Sequence, residues 1–403
     1  MSEVTSSGER GHEVPLRTIM LLGTAAFASS VNIRATDPLL PQIAEGFGIT
    51  VGTAAQIITV FTIGYGLTQL LFGPAGDRFG KYLVVAITTM LAGVASAGAA
   101  LAPSFELLTV ARFAVGGFAA AAIPLAFAWI GDAIAFERRQ AVLARFLSAQ
   151  MSGIILGQAA GGIIGDMFGW RSVFLIVGSI HMLAGLAMLT ELKLNPRAQP
   201  PMAGTSLGLT SVIGSVVSIV RRPWSRVLLI AVFCEALAMY GAFAYIGADL
   251  RQRFGLSYTL VGAVMAVYGA GAILYSMTAK RLIAKLGEAG LVIGGGVLMA
   301  MAFAGLAFAP RVEAVPPLMV LLGLAFYMMH NTLQNNATQM APEARGLGVS
   351  IFALALFFGQ SIGVAAAAPI MDLFGAPPIF LAASCALPLV ALWFRARLGM
   401  RPG

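Results

Sequence analysis

Charge is what this sequence has least of. Only 10% of its 403 residues are Asp, Glu, Lys or Arg, against about 25% in a typical soluble domain. So few charges cannot clothe a globule of this size, which excludes an ordinary soluble enzyme. Cysteine is nearly absent as well: Cys234 and Cys385 stand alone in apolar runs, with no CxxC and no histidine pair nearby. That excludes a disulfide framework and leaves zinc no ligand set, so neither cofactor nor metal is expected. There is no Walker string G-x-x-x-x-G-K-[ST], which argues against ATP-driven work. Paired carboxylates, a nucleophile elbow and HExxH are missing too, which argues against a membrane enzyme.

What the chain has instead is apolar length. Residues of the A/V/I/L/M/F/W/Y/C set make up 59% of it, in uncharged runs that recur from end to end. A bilayer core of about 30 Å takes about 20 such residues per helix. Spans are expected at 17–40, 51–72, 82–101, 105–130, 141–165, 171–192, 224–248, 258–279, 288–309, 316–338, 347–370 and 377–396, numbered here 1 to 12. The first run contains Ala26-Phe27-Ala28, a cleavage-like string, but Glu3, Glu9 and Glu13 spoil the basic leader of a signal peptide. Ser206–Val220 is uncharged but too short to cross, and reads as a helix lying on the membrane surface.

The net charge of +8 has no basic cluster with interleaved aromatics, so nucleic acid is not an expected partner. The excess lies in alternate loops instead. Nineteen Lys and Arg residues fall on the side of both termini, and Arg171, Arg251, Arg253 and Arg311 on the other. Basic loops stay in the cytoplasm, so both termini are expected there and the protein in the inner membrane.

The chain repeats itself at an offset of 206 residues. Glu137 and Arg139 fall on Glu343 and Arg345, Gly153 and Gly157 on Gly359 and Gly363, and Asp166, Phe168 and Gly169 on Asp372, Phe374 and Gly375. Two six-helix halves follow, and an even number per half makes them parallel repeats. The expected organisation is a tail over 1–16, a bundle over 17–192, a linker over 193–223, a second bundle over 224–396 and a tail over 397–403. The fold class is an all-α membrane protein of twelve transmembrane helices.

Three strings carry a resemblance. Between spans 2 and 3 stands Gly73-Pro74-Ala75-Gly76-Asp77-Arg78-Phe79-Gly80-Lys81, a G-x-x-x-D-R-x-G-K turn. Span 4 holds Arg112-Phe113-Ala114-Val115-Gly116-Gly117, and span 5 Gly153-x-x-x-Gly157-Gln158-x-x-Gly161-Gly162. Together they resemble the major facilitator superfamily, and within it the twelve-helix drug:proton antiporters. The span 5 string departs from the antiporter pattern at Gln158, where proline is expected and the kink it brings is lost. The resemblance implies the major facilitator fold, usually monomeric. It also implies a conformational switch at Gly73, Asp77, Arg78, Gly80 and Lys81 that acts without touching substrate. Gly153, Gly157, Gly161 and Gly162 give a smooth face for close helix packing. The second half's turn, Lys280 to Gly287, lacks the aspartate.

Ionisable side chains inside spans are costly, which makes them functional candidates. Glu235, eight residues or so into span 7, is the deepest acid; it and Asp37 are the expected proton carriers. Arg34 shares a helix face with Asp37 three residues on and is placed toward the outer rim. Arg112 in span 4 is expected to pair with Asp37. Gln158, Tyr240, His330, Asn331 and Gln334 are expected to line a substrate cavity; His181 reads as structural. The function that follows is export of a small hydrophobic or amphipathic compound, drug or metabolite, by proton antiport with alternating access. Partners are that small molecule, protons and lipid. Two rivals stay open: an organic-anion importer or facilitator clamping its substrate with Arg34 and Arg112, and a receptor that binds without transporting.

Overall fold

The computed structural model describes residues 16–195, 198–199 and 209–401, without the side chains of 136–137 and 209–211. The expected N-terminal tail before Leu16, Arg197, most of the linker ahead of Leu209 and the last two residues lie outside that set. Among the described residues there is no strand, and eleven helical stretches are long and apolar enough to cross a membrane. The longest, Tyr258–Phe308, holds two spans, because Gly287 leaves the helical region at φ 63° and ψ −177°. Gly80 does the same job between spans 2 and 3, at φ 94°. A side chain is disfavoured at either angle, so glycine is what lets each pair of spans fold back sharply. Twelve transmembrane helices result, in two parallel six-helix repeats.

Several spans are broken, and the breaks recur. Span 1 runs Leu16–Arg34, passes a 3-10 turn at Asp37–Leu39 and continues as Leu40–Phe47. Span 7 runs Pro223–Phe243 and resumes as Ile246–Phe254. Span 2 breaks at Ala55, span 4 between Ala119 and Ala122, and span 8 at Val267. Pro38 and Pro41 explain the first break, since each removes an amide donor from the ladder. Span 5 runs Phe136–Phe168, span 10 Val315–Ala337 and span 11 Arg345–Phe374, without interruption. Leu209–Arg221 ahead of span 7 is a helix of 13 residues, too short to cross.

Packing follows the 206-residue repeat down to single atoms. A Cβ on Gly153 would strike the carbonyl of Phe27, and one on Gly359 the carbonyl of Phe233. Gly157 sits on the backbone of Val31, and Gly363 on that of Leu237. Both of these first-half contacts are thus repeated 206 residues on in the second. Without side chains in the way, spans 1 and 5, and spans 7 and 11, approach backbone to backbone.

The halves meet along spans 5 and 8 and along spans 2 and 11. Gly162 lies against the backbone of Tyr258 and Gly262, and Gly66 against Phe357. Span 5 packs on the outer piece of span 8, Tyr258–Ala266, far more than on the piece that begins at Tyr268. The meeting surface is therefore weighted to one face, opposite the arginine-rich loops; these are called the distal and basic faces below.

Candidate functional site

The breaks in spans 1 and 7 place the buried charges. Glu235 on span 7 is fully enclosed, at 0% exposure. Its Oε2 lies 2.9 Å from Nδ1 of His330 on span 10, and its Oε1 has no hydrogen-bond partner. The His330 ring stacks flat on Phe326, with centroids 4.7 Å apart and planes 11° from parallel. The chain thus brings together two residues 95 positions apart, expected separately as proton carrier and cavity lining. Tyr240, one turn beyond Glu235, packs edge-on against Phe326 at 5.4 Å.

Arg34 and Asp37 are not at the rim. Helix resumes beyond them to Phe47, so the pair lies inside the protein, with Asp37 at 0% exposure and Arg34 at 7%. Arg34 Nη1 donates to Asp37 Oδ2 at 3.3 Å, while Asp37 Oδ1 stays unpartnered. The Arg34 guanidinium then reaches across to the other half, 4.3 Å above the Tyr240 ring and 5.2 Å from that of Phe243. Such cation–π contacts reach about 2 kcal/mol when shielded from water. Tyr240 lies 206 residues after Arg34, so equivalent positions of the two halves meet face to face.

Arg112 makes its hydrogen bonds to a residue other than Asp37. It donates from Nη1 to Asn32 Oδ1 and from Nη2 to the Asn32 carbonyl, both at 3.3 Å, and lies over Phe61 at 4.3 Å. Span 4 approaches span 1 one turn before Asp37, and Arg34 already holds the aspartate. Asn32 carried no sequence signal, being an amide in an apolar run. Gln158 is buried beside spans 1 and 8, with neither amide atom hydrogen-bonded. Asn331 is half-buried and Gln334 exposed, near the basic end of span 10. Neighbouring Asn336, not singled out from sequence, is buried and bonds Glu288. His181 is enclosed, with Nδ1 2.9 Å from the Val177 carbonyl.

At the basic face, Lys81 joins Asp77 at 3.2 Å and Asp132 at 2.6 Å, all within the first half. Arg78 lies over its neighbour Phe79 at 5.2 Å, and the Gly73 position has open space around it. Two residues of the linker, Ala198 and Gln199, lie over this turn. Gln199 donates to the Phe79 carbonyl and accepts from the Leu83 amide, both at 3.3 Å, and Trp129 Nε1 donates to the Ala198 carbonyl at 2.7 Å.

Chemically the arrangement offers two enclosed carboxyl groups. Each is bonded to a base, each has one oxygen free, and aromatic rings and the Arg34 bridge lie between them. Relatives with such a fold are membrane transporters. An uncharacterized MFS-type transporter of Bacillus subtilis, YceJ, is 25% identical over 366 residues, spanning 87% of this chain and 88% of its own length. The puromycin resistance protein pur8 of Streptomyces alboniger is 24% identical over 383 residues, 81% of this chain and 76% of its own. The lincomycin resistance protein of Streptomyces lincolnensis is 29% identical over 176 residues, 44% of this chain and 36% of its own. Among solved structures, a bacterial homolog of the human lysosomal transporter Spinster superposes with a TM-score of 0.78 at 17% identity, over 96% of this chain and 98% of that one. The nucleoside transporter NupG gives 0.77 at 13% identity, over 94% and 100%. Those likenesses speak for the fold. The Major Facilitator Superfamily profile matches residues 22–363 and again 228–402, so it reads both halves, and the chain belongs to that superfamily.

Proposed function

We propose that this transporter exports a small hydrophobic or amphipathic compound in exchange for protons. The observation that carries the reading is the enclosed Glu235 carboxyl, with one oxygen on His330 and the other without a partner. A buried carboxylate is expensive as an anion, so it is tolerable where it can take up a proton. Asp37 repeats the pattern with Arg34. The relatives named for puromycin and lincomycin resistance support export of a drug-like molecule.

On this reading the basic face is cytoplasmic, both termini lie there, and the protein works as a monomer in the inner membrane. The bundles over 17–192 and 224–396 rock about the midplane charges, and the linker over 193–223 ties them together. Glu235 and Asp37 take protons from the distal side and release them to the cytoplasm. Arg34 and Arg112 set the charge balance, and Gln158, Tyr240, His330, Asn331 and Gln334 meet the substrate. Substrate and proton then exclude each other, which makes exchange obligatory. The anion-clamp reading is less favoured, because Arg34 is engaged by Asp37 and Arg112 by Asn32.

In proteoliposomes with an acidic lumen, substrate should accumulate inside against its own gradient. Candidate compounds come from a toxicity panel on cells stripped of their own exporters. Accumulation indifferent to the pH gradient would favour a facilitator, and binding without flux a receptor.

The switch residues give a separate prediction. Asp77→Asn should slow transport at least about tenfold, yet leave the melting transition within about 0.5 kcal/mol of the parent. Exposed ion pairs carry little stability, and Lys81 keeps its 2.6 Å contact with Asp132. Flux and thermal unfolding measured on the same preparation separate the two effects.

A further inference from the structure

The repeat pairs Asp166 with Asp372, and nothing so far uses either. Both stand near the distal end of a long helix, span 5 and span 11, in the same D-x-F-G string. Each is followed by an exposed phenylalanine and then by a glycine with positive φ, 82° at Gly169 and 74° at Gly375. Both carboxylates reach across to the opposite half.

Asp372 Oδ2 accepts from the Thr50 hydroxyl at 2.7 Å, and its Oδ1 from the Gly52 amide at 2.7 Å, at the start of span 2. Asp166 Oδ2 accepts from the Thr259 hydroxyl at 2.7 Å and from the Thr259 amide at 3.3 Å, at the start of span 8. Each half thus extends one carboxylate to a threonine hydroxyl and a backbone amide of the other. Both threonine stretches hold themselves in place: Thr53 N donates to Thr50 Oγ1 at 3.1 Å, and Leu260 N to Ser257 Oγ at 3.3 Å. The fit at Asp372 is close, since a Cβ on Gly52 would run into the Ala368 carbonyl and the Asp372 carboxylate.

These contacts bridge the two halves at the distal face, and the charges of the transport site are enclosed behind them. A crevice of about 270 Å³ lies beside Asp372, between Thr53, Gln56 and Thr59 of span 2 and Ala365 and Ala368 of span 11. We infer that Asp166 and Asp372 are twin clasps that hold the distal face shut and so set which side of the membrane the site faces. They are positioning residues: neither touches Glu235, Arg34 or Asp37. Their placement serves a rocking molecule, because a bond between halves is lost whenever the distal side parts.

Charge-assisted hydrogen bonds outlast neutral ones, but these are solvent-exposed, so each clasp should weigh modestly. Removing one should raise the ratio of distal-open to distal-closed protein about fivefold, and removing both should multiply the effects, since the two share no partner and sit on different span pairs. The test uses the full chain in lipid nanodiscs, with Cys234→Ala and Cys385→Ala and nitroxides on Gln56→Cys and Leu260→Cys. Both labelled positions are exposed, one on each half. Pulsed dipolar spectroscopy without substrate or gradient then reads the distal gap directly, whether or not protons drive export.

Asp166→Ala/Asp372→Ala should bring up a longer-distance population that Asp166→Glu/Asp372→Glu largely reverses. Thr50→Val/Thr259→Val should shift the distances the same way from the other end, by less because the Gly52 and Thr259 amides still donate, and it stands in for the aspartate pair if that fails to fold. A distance distribution unchanged from the parent in a folded clasp-less variant overturns the proposal. So does a shift of equal size in Ser104→Ala, a distal helix cap within one half that bonds only its own turn.

Discussion

Glu235→Gln is expected to abolish pH-driven accumulation, lowering it at least about 100-fold, while substrate binding at fixed pH changes only severalfold. Glutamine keeps the shape and can still meet His330 Nδ1, now 2.9 Å from Glu235, but it has no proton to give up. The site would then bind and carry without coupling. His330→Ala should act differently. It strips Glu235 of its hydrogen-bond partner inside a fully enclosed pocket, and an unsatisfied buried polar group costs about 1–3 kcal/mol. Transport should fall about tenfold, with an altered pH profile and lowered thermal stability. Proteoliposome flux across a pH series, with melting curves alongside, distinguishes the two variants. Full coupling retained in both Glu235→Gln and Asp37→Asn would remove the proposed proton carriers.

The second large effect is on assembly. Gly157→Leu and Gly363→Leu should each destabilise the protein by about 3 kcal/mol, the upper end of the usual overpacking cost. Added atoms there meet main chain: a Cβ on Gly157 would lie 3.0 Å from the Val31 Cα, and one on Gly363 2.9 Å from the Leu237 Cα. Backbone cannot step aside as a flexible side chain can, so spans 1 and 5, or 7 and 11, must separate. Gly98→Ala is the control, because open space surrounds that position; it should be neutral or slightly stabilising through better helix propensity. Denaturant-induced unfolding in detergent provides the comparison.

How much of this was legible beforehand depends on what reports it. The 206-residue repeat predicts that glycines equivalent in sequence meet equivalent backbone, and Gly153 on Phe27 is indeed echoed by Gly359 on Phe233. Apolar length locates the spans, since each must satisfy the same bilayer, and the 206-residue repeat settles their number. Helix breaks were harder to see. Pro38 and Pro41 flag the one in span 1, but the break at Ala244 has no proline and only Gly241 and Gly247, three residues to either side, to mark it.

Pairings between distant spans were not legible at all. Glu235 with His330, and Arg112 with Asn32, depend on how neighbouring helices are rotated and slid against each other, which no spacing within one helix encodes. Arg34 was misplaced for a related reason. A span that ends at residue 40 leaves Arg34 near its outer end, whereas the helix turns and continues to Phe47.

The meeting of Arg34 with Tyr240 bears on how such a molecule could be built. Two identical copies of the first half, assembled about the same axis, would set guanidinium against guanidinium in a dry interior, with no aromatic face to receive either. A symmetric dimer would leave each guanidinium with only its own copy's Asp37 and no receptor across the interface. Joining the copies into one chain removes that constraint, letting a single position diverge into a cation on one side and its receptor on the other.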